Sequence, residues 1–161
     1  MTKTLVLYFS ATNTTKKMAE MVAKQLNAYI AEIHPEQPYT SADLDWHDEQ
    51  ARTTIEQHQH GQKVAIKDDL PDISLYQNIV IGHPIWWGIP PRLISSTIDH
   101  LDLNGKNLAT FATSGGSGYG RSQSYVERSI KENGYDVKVN KGSVLNNARQ
   151  ASSWVASLDL Q

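Results

Sequence analysis

Three short segments of this sequence contain the residue types that could bind a small molecule. The first, residues 10–15, follows an apolar run at 5–9 and consists of Ser10, Ala11, Thr12, Asn13, Thr14 and Thr15. A helical pattern begins directly after it, and the first N–H groups of a helix have no intrahelical partner. Hydroxyl side chains beside such N–H groups can form a phosphate site, or they can simply cap the helix. This segment alone does not separate the two interpretations.

The second segment contains two adjacent tryptophans. It follows an apolar run at 78–82 and consists of Pro84, Ile85, Trp86, Trp87 and Gly88. Successive side chains of an extended backbone point in opposite directions, so we expect one tryptophan to pack in the core and the other to face a ligand. A flat aromatic side chain in that position stacks well on another ring system.

The third segment is rich in glycine, which allows backbone N–H groups to approach a ligand closely. It follows an apolar run at 107–113 and consists of Thr113, Ser114, Gly115, Gly116, Ser117, Gly118 and Tyr119. Tyr119 is either a second aromatic wall or an exposed loop residue. His83, just before the second segment, either tunes the protonation of a bound group near neutral pH or has a structural role.

The elements around these segments predict an α/β fold in a single domain, residues 1–161. Five short apolar strands alternate with helices, which indicates a parallel sheet covered by helices on both faces. The fifth strand is expected at 135–139 and again at 144–145, and Asn146 or Asn147 is expected to cap the last helix. The polar stretch 36–67 is expected to cross one sheet edge with two short helical segments, one capped by Ser41 and one within 48–60. Because the three segments follow strands one, three and four, they should meet at the carboxyl edge of the sheet.

The amino-acid composition excludes or disfavours several classes of function. The 161 residues include no cysteine, which excludes disulfides, thiol catalysis and cysteine-bound metals. The net charge of −2 without a basic cluster disfavours nucleic-acid binding, and no long apolar run predicts membrane insertion. We therefore expect a cytoplasmic protein. His58 and His60 lack carboxylates at metal-ligand spacing, so no metal site is predicted.

A phosphate site, a polar connection and a flat ring between aromatic side chains outline an FMN site. With the three segments in this order, the chain resembles the flavodoxin family, and in particular a bacterial branch that carries Tyr39-Thr40 and Asp43-Leu44-Asp45-Trp46. The resemblance implies a three-layer α/β/α fold with a five-stranded parallel sheet in the order 2-1-3-4-5, of the short-chain type. It also implies that FMN is the cofactor.

The resemblance assigns roles to the three segments. The FMN phosphate would be held by Ser10, Thr12, Asn13, Thr14 and Thr15. The residues 84–88 would flank the ring and the ribityl chain, and 114–118 with Tyr119 would close over the pyrimidine side of the ring. Two features depart from the family: Asn13 replaces the usual glycine, and the chain is nearly neutral where electron-carrying flavodoxins tend to be strongly acidic.

The first functional hypothesis is an FMN-dependent electron carrier that serves redox partner proteins. The second is an oxidoreductase that passes hydride from NAD(P)H to a small-molecule acceptor such as a quinone, with residues 36–67 and Trp46 as a substrate wall. The third is a non-redox module that binds another phosphate ligand. A monomer or weak dimer is expected. We also hypothesise that the Trp87–Gly88 peptide rearranges when the flavin is reduced, because glycine lowers the cost of such a change.

Overall fold

The computed structural model describes residues 3–59, 61 and 63–160. It contains a parallel sheet with five helices around it, and the order of the main strands is β2-β1-β3-β4-β5. The predicted order 2-1-3-4-5 and the flavodoxin-like fold are confirmed. Along the chain the elements are β1 (Thr4–Tyr8), α1 (Thr14–Leu26), β2 (Tyr29–Glu32), α2 (Arg52–His58), β3 (Asn78–Pro84), α3 (Leu93–Asp99), β4 (Asn107–Thr113), α4 (Gly120–Asn133), β5 (Lys138–Val139), β6 (Ser143–Val144) and α5 (Ala148–Ser157).

The central strands β1, β3 and β4 are almost completely buried. Alternate side chains of each strand enter different cores. Leu5 and Ile79 pack with residues of α3 and α4 on one face of the sheet, whereas Val6 and Val80 pack with α1 and α5 on the other. Burial on both faces explains why these strands appear in the sequence as continuous apolar runs.

The fifth strand position is divided between β5 and β6, and both pair with β4 in parallel. The interruption falls at residues 140–142, in agreement with the predicted resumption of the strand after Gly142. Asn147 caps α5 by accepting a hydrogen bond from the Gln150 N–H at 2.9 Å. Gly134 ends α4 in the left-handed conformation at φ 68°.

In the described part of the polar stretch 36–67, one helix forms instead of two. The predicted helical segment after Ser41 is a series of turns, because the Thr40 and Asp43 side chains each accept a hydrogen bond from the other residue's N–H. Such local bonds compete with helix formation. The second segment forms α2, which is shorter than predicted and ends at His58; His60 lies outside the described residues. None of the helices in the described part of the chain has the length and hydropathy needed to cross a bilayer.

Candidate functional site

The three predicted segments meet around a cavity at the carboxyl edge of the sheet. Its volume of about 410 Å³ lies within the range of cofactor sites. The hydroxyls of Thr15 and Thr113 lie 2.7 Å apart, so they connect the first segment directly to the third. Pro84 pairs with Thr113 across the β3–β4 ladder, which brings the second segment to the same place.

Not every predicted residue lines this cavity. Those that do are Thr12, Thr14, Thr15, Pro84, Ile85, Trp86, Trp87 and Thr113, together with Ala11. The stretch 36–67 adds Leu44, Trp46 and Thr53. The remaining predicted residues, which are Ser10, Asn13, Gly88, Ser114, Gly115, Gly116, Ser117, Gly118 and Tyr119, do not belong to the lining.

The first segment leaves the start of α1 without a side-chain cap. The N-cap residue is Asn13, whose side chain makes no capping hydrogen bond, and no acidic residue lies in the first turn. Ser10 Oγ is buried and has no hydrogen-bond partner among the described residues. Uncapped N–H groups at a helix start favour a bound anion, and a hydroxyl without a partner can donate to one. The structure therefore does not support the simple helix-cap interpretation.

Asn13 adopts the left-handed conformation at φ 70°. Asparagine tolerates this region better than most residues, and glycine enters it without a steric penalty. We expect Asn13→Gly to leave the free energy of unfolding within about 0.5 kcal/mol of wild type, because relief of strain is offset by the greater freedom of glycine in the unfolded chain. We expect Asn13→Val to lose about 1–2 kcal/mol, because a β-branched side chain clashes there.

Urea unfolding of the apo-protein measures both changes. A gain of more than about 1 kcal/mol in Asn13→Gly would contradict this prediction, because it would show that the turn strains asparagine.

The second segment is a tight turn, not the extended chain that was predicted. Trp86 N–H donates to Ile89 O at 2.9 Å, and Ile89 N–H donates to Trp86 O at 3.3 Å. The two residues between them have positive φ, 53° at Trp87 and 81° at Gly88. Two successive positive φ values define a type I′ turn, which usually contains asparagine, aspartate or glycine. A tryptophan at its first central position is therefore a strained residue in the wall of the cavity.

The two tryptophans both line the cavity, but their rings have different surroundings. The Trp86 ring packs against Phe9 and Tyr39, with ring centroids 5.6 and 5.5 Å away, and joins the core between the sheet and α3. The Trp87 ring packs against the His58 ring, with the ring centroids 5.4 Å apart. The reason differs from the predicted one, because the turn and not strand alternation separates the two side chains.

Most of the third segment is exposed and does not line the cavity. Ser114 Oγ accepts hydrogen bonds from the N–H groups of Gly116 and Ser117, at 3.3 and 3.0 Å. These two N–H groups, which the glycine-rich pattern led us to expect at a ligand, are therefore engaged within the loop. Thr113, at the end of β4, is the residue of this segment that lines the cavity.

Tyr119 is not an aromatic wall, and this prediction is corrected. Its side chain is buried, and its hydroxyl is hydrogen-bonded to Thr110 Oγ1 at 2.5 Å and to His83 Nε2 at 3.0 Å. The ring also occupies the space next to Gly142, so it faces the core and not the cavity. Besides Trp86 and Trp87, the cavity lining contains a third aromatic side chain, that of Trp46, which is 66% exposed.

His83 is completely buried and does not line the cavity. Its Nδ1 donates to Pro84 O at 2.7 Å, because a carbonyl oxygen can only accept, and this leaves Nε2 unprotonated toward the Tyr119 hydroxyl. Burial lowers the pKa of His83 to about 4. The imidazole is therefore neutral near pH 7, and the expectation that it tunes a bound group's protonation there is not supported.

Comparison with known proteins agrees with this architecture. The profile of a family described as Flavodoxin matches residues 3–158. No curated protein matches the chain. Among solved structures, a Bacteroides eggerthii protein described as a flavoprotein has 37% identity and a TM-score of 0.86, and the match covers 97% of each chain. A Bacteroides uniformis protein with the same description has 34% identity and a TM-score of 0.87, with 97% of this chain and 99% of that chain covered.

A Lactobacillus acidophilus flavoprotein solved in complex with FMN has 26% identity and a TM-score of 0.66. That match covers 96% of this chain and 99% of the other. Since the family profile spans nearly the whole sequence and the sheet order agrees with it, the chain belongs to the flavodoxin family.

Proposed function

We propose that this chain binds FMN in the carboxyl-edge cavity and acts in electron transfer. The observation that carries the proposal is the uncapped start of α1, together with the buried Ser10 hydroxyl, three residues before the N-cap, which has no partner among the described residues. Folding has left hydrogen-bonding capacity unused at the point where the flavodoxin fold would receive a phosphate. The Lactobacillus acidophilus relative with bound FMN supports the same cofactor.

The residues present fit FMN. Its phosphate would be held by the N–H groups that open α1 and by the hydroxyls of Ser10, Thr12, Thr14 and Thr15, with Asn13 supplying the turn. Segment 10–15 contains no lysine or arginine, so neutral dipoles would hold the phosphate charge. The ring would lie among the residues of segment 84–88, in a cavity that Trp46 and Trp87 both line.

FMN, when bound, supplies the electron-transfer chemistry. The chain binds and orients the cofactor. Trp46 and Trp87 would exclude water from the ring, which lowers the local dielectric and makes charge on the ring more costly. His83 is buried and neutral, so it contributes no charge to the site.

The first experiment compares Ser10→Ala with wild type. Because Ser10 Oγ makes no hydrogen bond in the apo-protein, we expect its removal to change the free energy of unfolding by less than about 0.5 kcal/mol. We expect FMN affinity to fall about tenfold, as the loss of one hydrogen bond to a charged group predicts. Quenching of flavin fluorescence on binding gives the Kd.

Ser122→Ala is the matched control. Ser122 Oγ is also buried and without a partner in the described residues, but it lies in α4. Its removal should change neither stability nor FMN affinity appreciably. Equal FMN affinity in Ser10→Ala and wild type would contradict the phosphate assignment. Failure of wild type to bind FMN at micromolar concentration would leave only a non-redox phosphate-binding module.

A second candidate function is an FMN oxidoreductase that accepts hydride from NAD(P)H. The observation that favours it is the participation of residues 36–67 in the cavity through Leu44, Trp46 and Thr53. An exposed Trp46 beside the ring could contact a second flat molecule. Stopped-flow mixing of the FMN-loaded protein with NADPH separates the two functions: fast bleaching of the flavin absorbance favours the enzyme, and its absence favours the carrier.

A further inference from the structure

The strained turn at Trp87 and Gly88 is held from outside its own segment. Its two internal hydrogen bonds join Trp86 and Ile89. Trp86 O accepts a further hydrogen bond from Gln57 Nε2 at 3.0 Å. Gln57 belongs to α2, the helix within the long polar stretch 36–67.

The Gln57 amide bridges both ends of the turn. Its Nε2 also donates to Pro90 O at 3.1 Å, and its Oε1 accepts from Arg92 N–H at 3.1 Å. One side chain therefore contacts the backbone immediately before the turn and twice after it. Gln57 is only 4% exposed, so these bonds are made away from water. Both donor hydrogens and the acceptor oxygen of the amide are used.

The Arg92 side chain donates hydrogen bonds back to α2. Its Nη2 donates to Gln57 O at 2.8 Å and its Nε to Glu56 O at 3.2 Å. These carbonyls belong to the last turn of α2, where intrahelical partners are missing and a cation is favourable. The Arg92 side chain is buried and forms no ion pair with a carboxylate in the described residues. Helix α2 and residues 86–92 are thus joined in both directions.

We propose that Gln57 is a positioning residue for the flavin site, acting through the turn at Trp87 and Gly88. Because a tryptophan with positive φ is unfavourable, the turn persists only where surrounding bonds hold it. The Gln57 amide supplies such bonds and thereby keeps Trp87 in the cavity wall. This proposal rests on the proposed FMN function, and it assigns a role to the polar stretch that the sequence alone left open.

The first test is Gln57→Met, which keeps the length of the side chain and removes all three hydrogen bonds. In the apo-protein we expect the amide hydrogens of Trp86 and Ile89 to exchange about tenfold faster relative to the amides of β3. We also expect the Kd for FMN to rise about tenfold. Hydrogen exchange by NMR and flavin fluorescence measure the two effects.

The matched control is Asn107→Leu. Asn107 is also a buried amide, 4% exposed, and it donates to Asn78 Oδ1 at 2.9 Å at the opposite, amino-terminal edge of the sheet. The Asn107→Leu substitution should destabilise the protein without changing how fast the amide hydrogens of Trp86 and Ile89 exchange relative to those of β3. If both variants change that exchange and the FMN affinity equally, Gln57 has only a general structural role and the proposal is overturned.

Gln57→Glu gives a pH-dependent second test and keeps the shape of the side chain. A carboxylate would face the oxygens of Trp86 and Pro90, whereas a protonated carboxyl group could donate to one of them. We expect FMN affinity at pH 7.5 to be lower than in Gln57→Met, and the difference to narrow as the pH falls toward 5. A constant ratio between the two variants would contradict the proposal.

The apo-protein exchange measurement requires no FMN. If wild type fails to bind FMN while Gln57→Met still loosens the turn selectively, the proposed function is wrong and the Gln57–turn contact remains. If wild type binds FMN and Gln57→Met changes neither exchange nor affinity, the positioning role alone is wrong.

Discussion

Gly142→Ala should be one of the most destabilising single substitutions near the site, with an expected loss of about 3 kcal/mol in the free energy of unfolding. A Cβ at this position would lie 2.2 Å from Tyr119 Cε2 and 2.7 Å from Thr110 O. The carbonyl belongs to the central strand β4 and cannot move without disturbing the sheet. The tyrosine cannot rotate away without breaking its bonds to Thr110 and His83.

The measurement is chemical unfolding of the apo-protein, with Gly120→Ala as control. An added Cβ at Gly120 meets no atom within 4 Å, and the residue opens α4. Alanine there should be neutral or stabilise by a few tenths of a kcal/mol. A loss below about 1 kcal/mol in Gly142→Ala would show that Tyr119 is not held in place as described.

Acid should destabilise this protein through His83. The pKa of His83 is lowered to about 4 by burial, against about 6.5 in an unfolded chain. At a pH between these two pKa values, His83 is protonated in the unfolded chain and neutral in the folded chain. Stability that is fully present above about pH 6.5 is therefore lost as the pH falls toward 4, and His83 accounts for about 3 kcal/mol of that loss.

His83→Gln isolates this contribution, because an amide can donate to Pro84 O and does not titrate. We expect the unfolding free energy of wild type to fall more steeply than that of His83→Gln between pH 7 and 4.5. Burial raises the pKa of Tyr119, so this neighbour stays neutral throughout that range. Parallel pH profiles for the two proteins would contradict the buried, neutral histidine.

The sheet could be predicted because its signals are local. The strands β1, β3 and β4 are buried on both faces, so each is a continuous apolar run bounded by polar or glycine residues. Asn147 and Gly134 likewise act on helix ends only a few residues away. Because β1, β3 and β4 pair in parallel, the loops that follow them lie at one edge of the sheet.

The side-chain environments could not be predicted in the same way. Tyr119 follows a glycine-rich loop, which suggested exposure, yet it is buried against His83, 36 positions earlier in the chain. Its phenol fills space that exists only because residue 142 lacks a Cβ. That complementarity joins distant parts of the sequence and leaves no periodic pattern.

Segment 10–15 shows which features local sequence determines and which features depend on tertiary structure. The sequence shows that hydroxyl residues lie between an apolar run and the start of a helix. It can do so because the signals for a buried strand and for a helix come from neighbouring residues. Only the packed chain shows that Ser10 Oγ is buried without a partner among the described residues and that Asn13 provides no side-chain cap. The turn at Trp87 and Gly88 also depends on tertiary structure. Gln57, which lies 29 positions before Trp86 in the sequence, donates a hydrogen bond to the Trp86 carbonyl and stabilises this strained turn. Local sequence thus determined the sheet and the location of the candidate site, and long-range packing decided which side chains line its cavity.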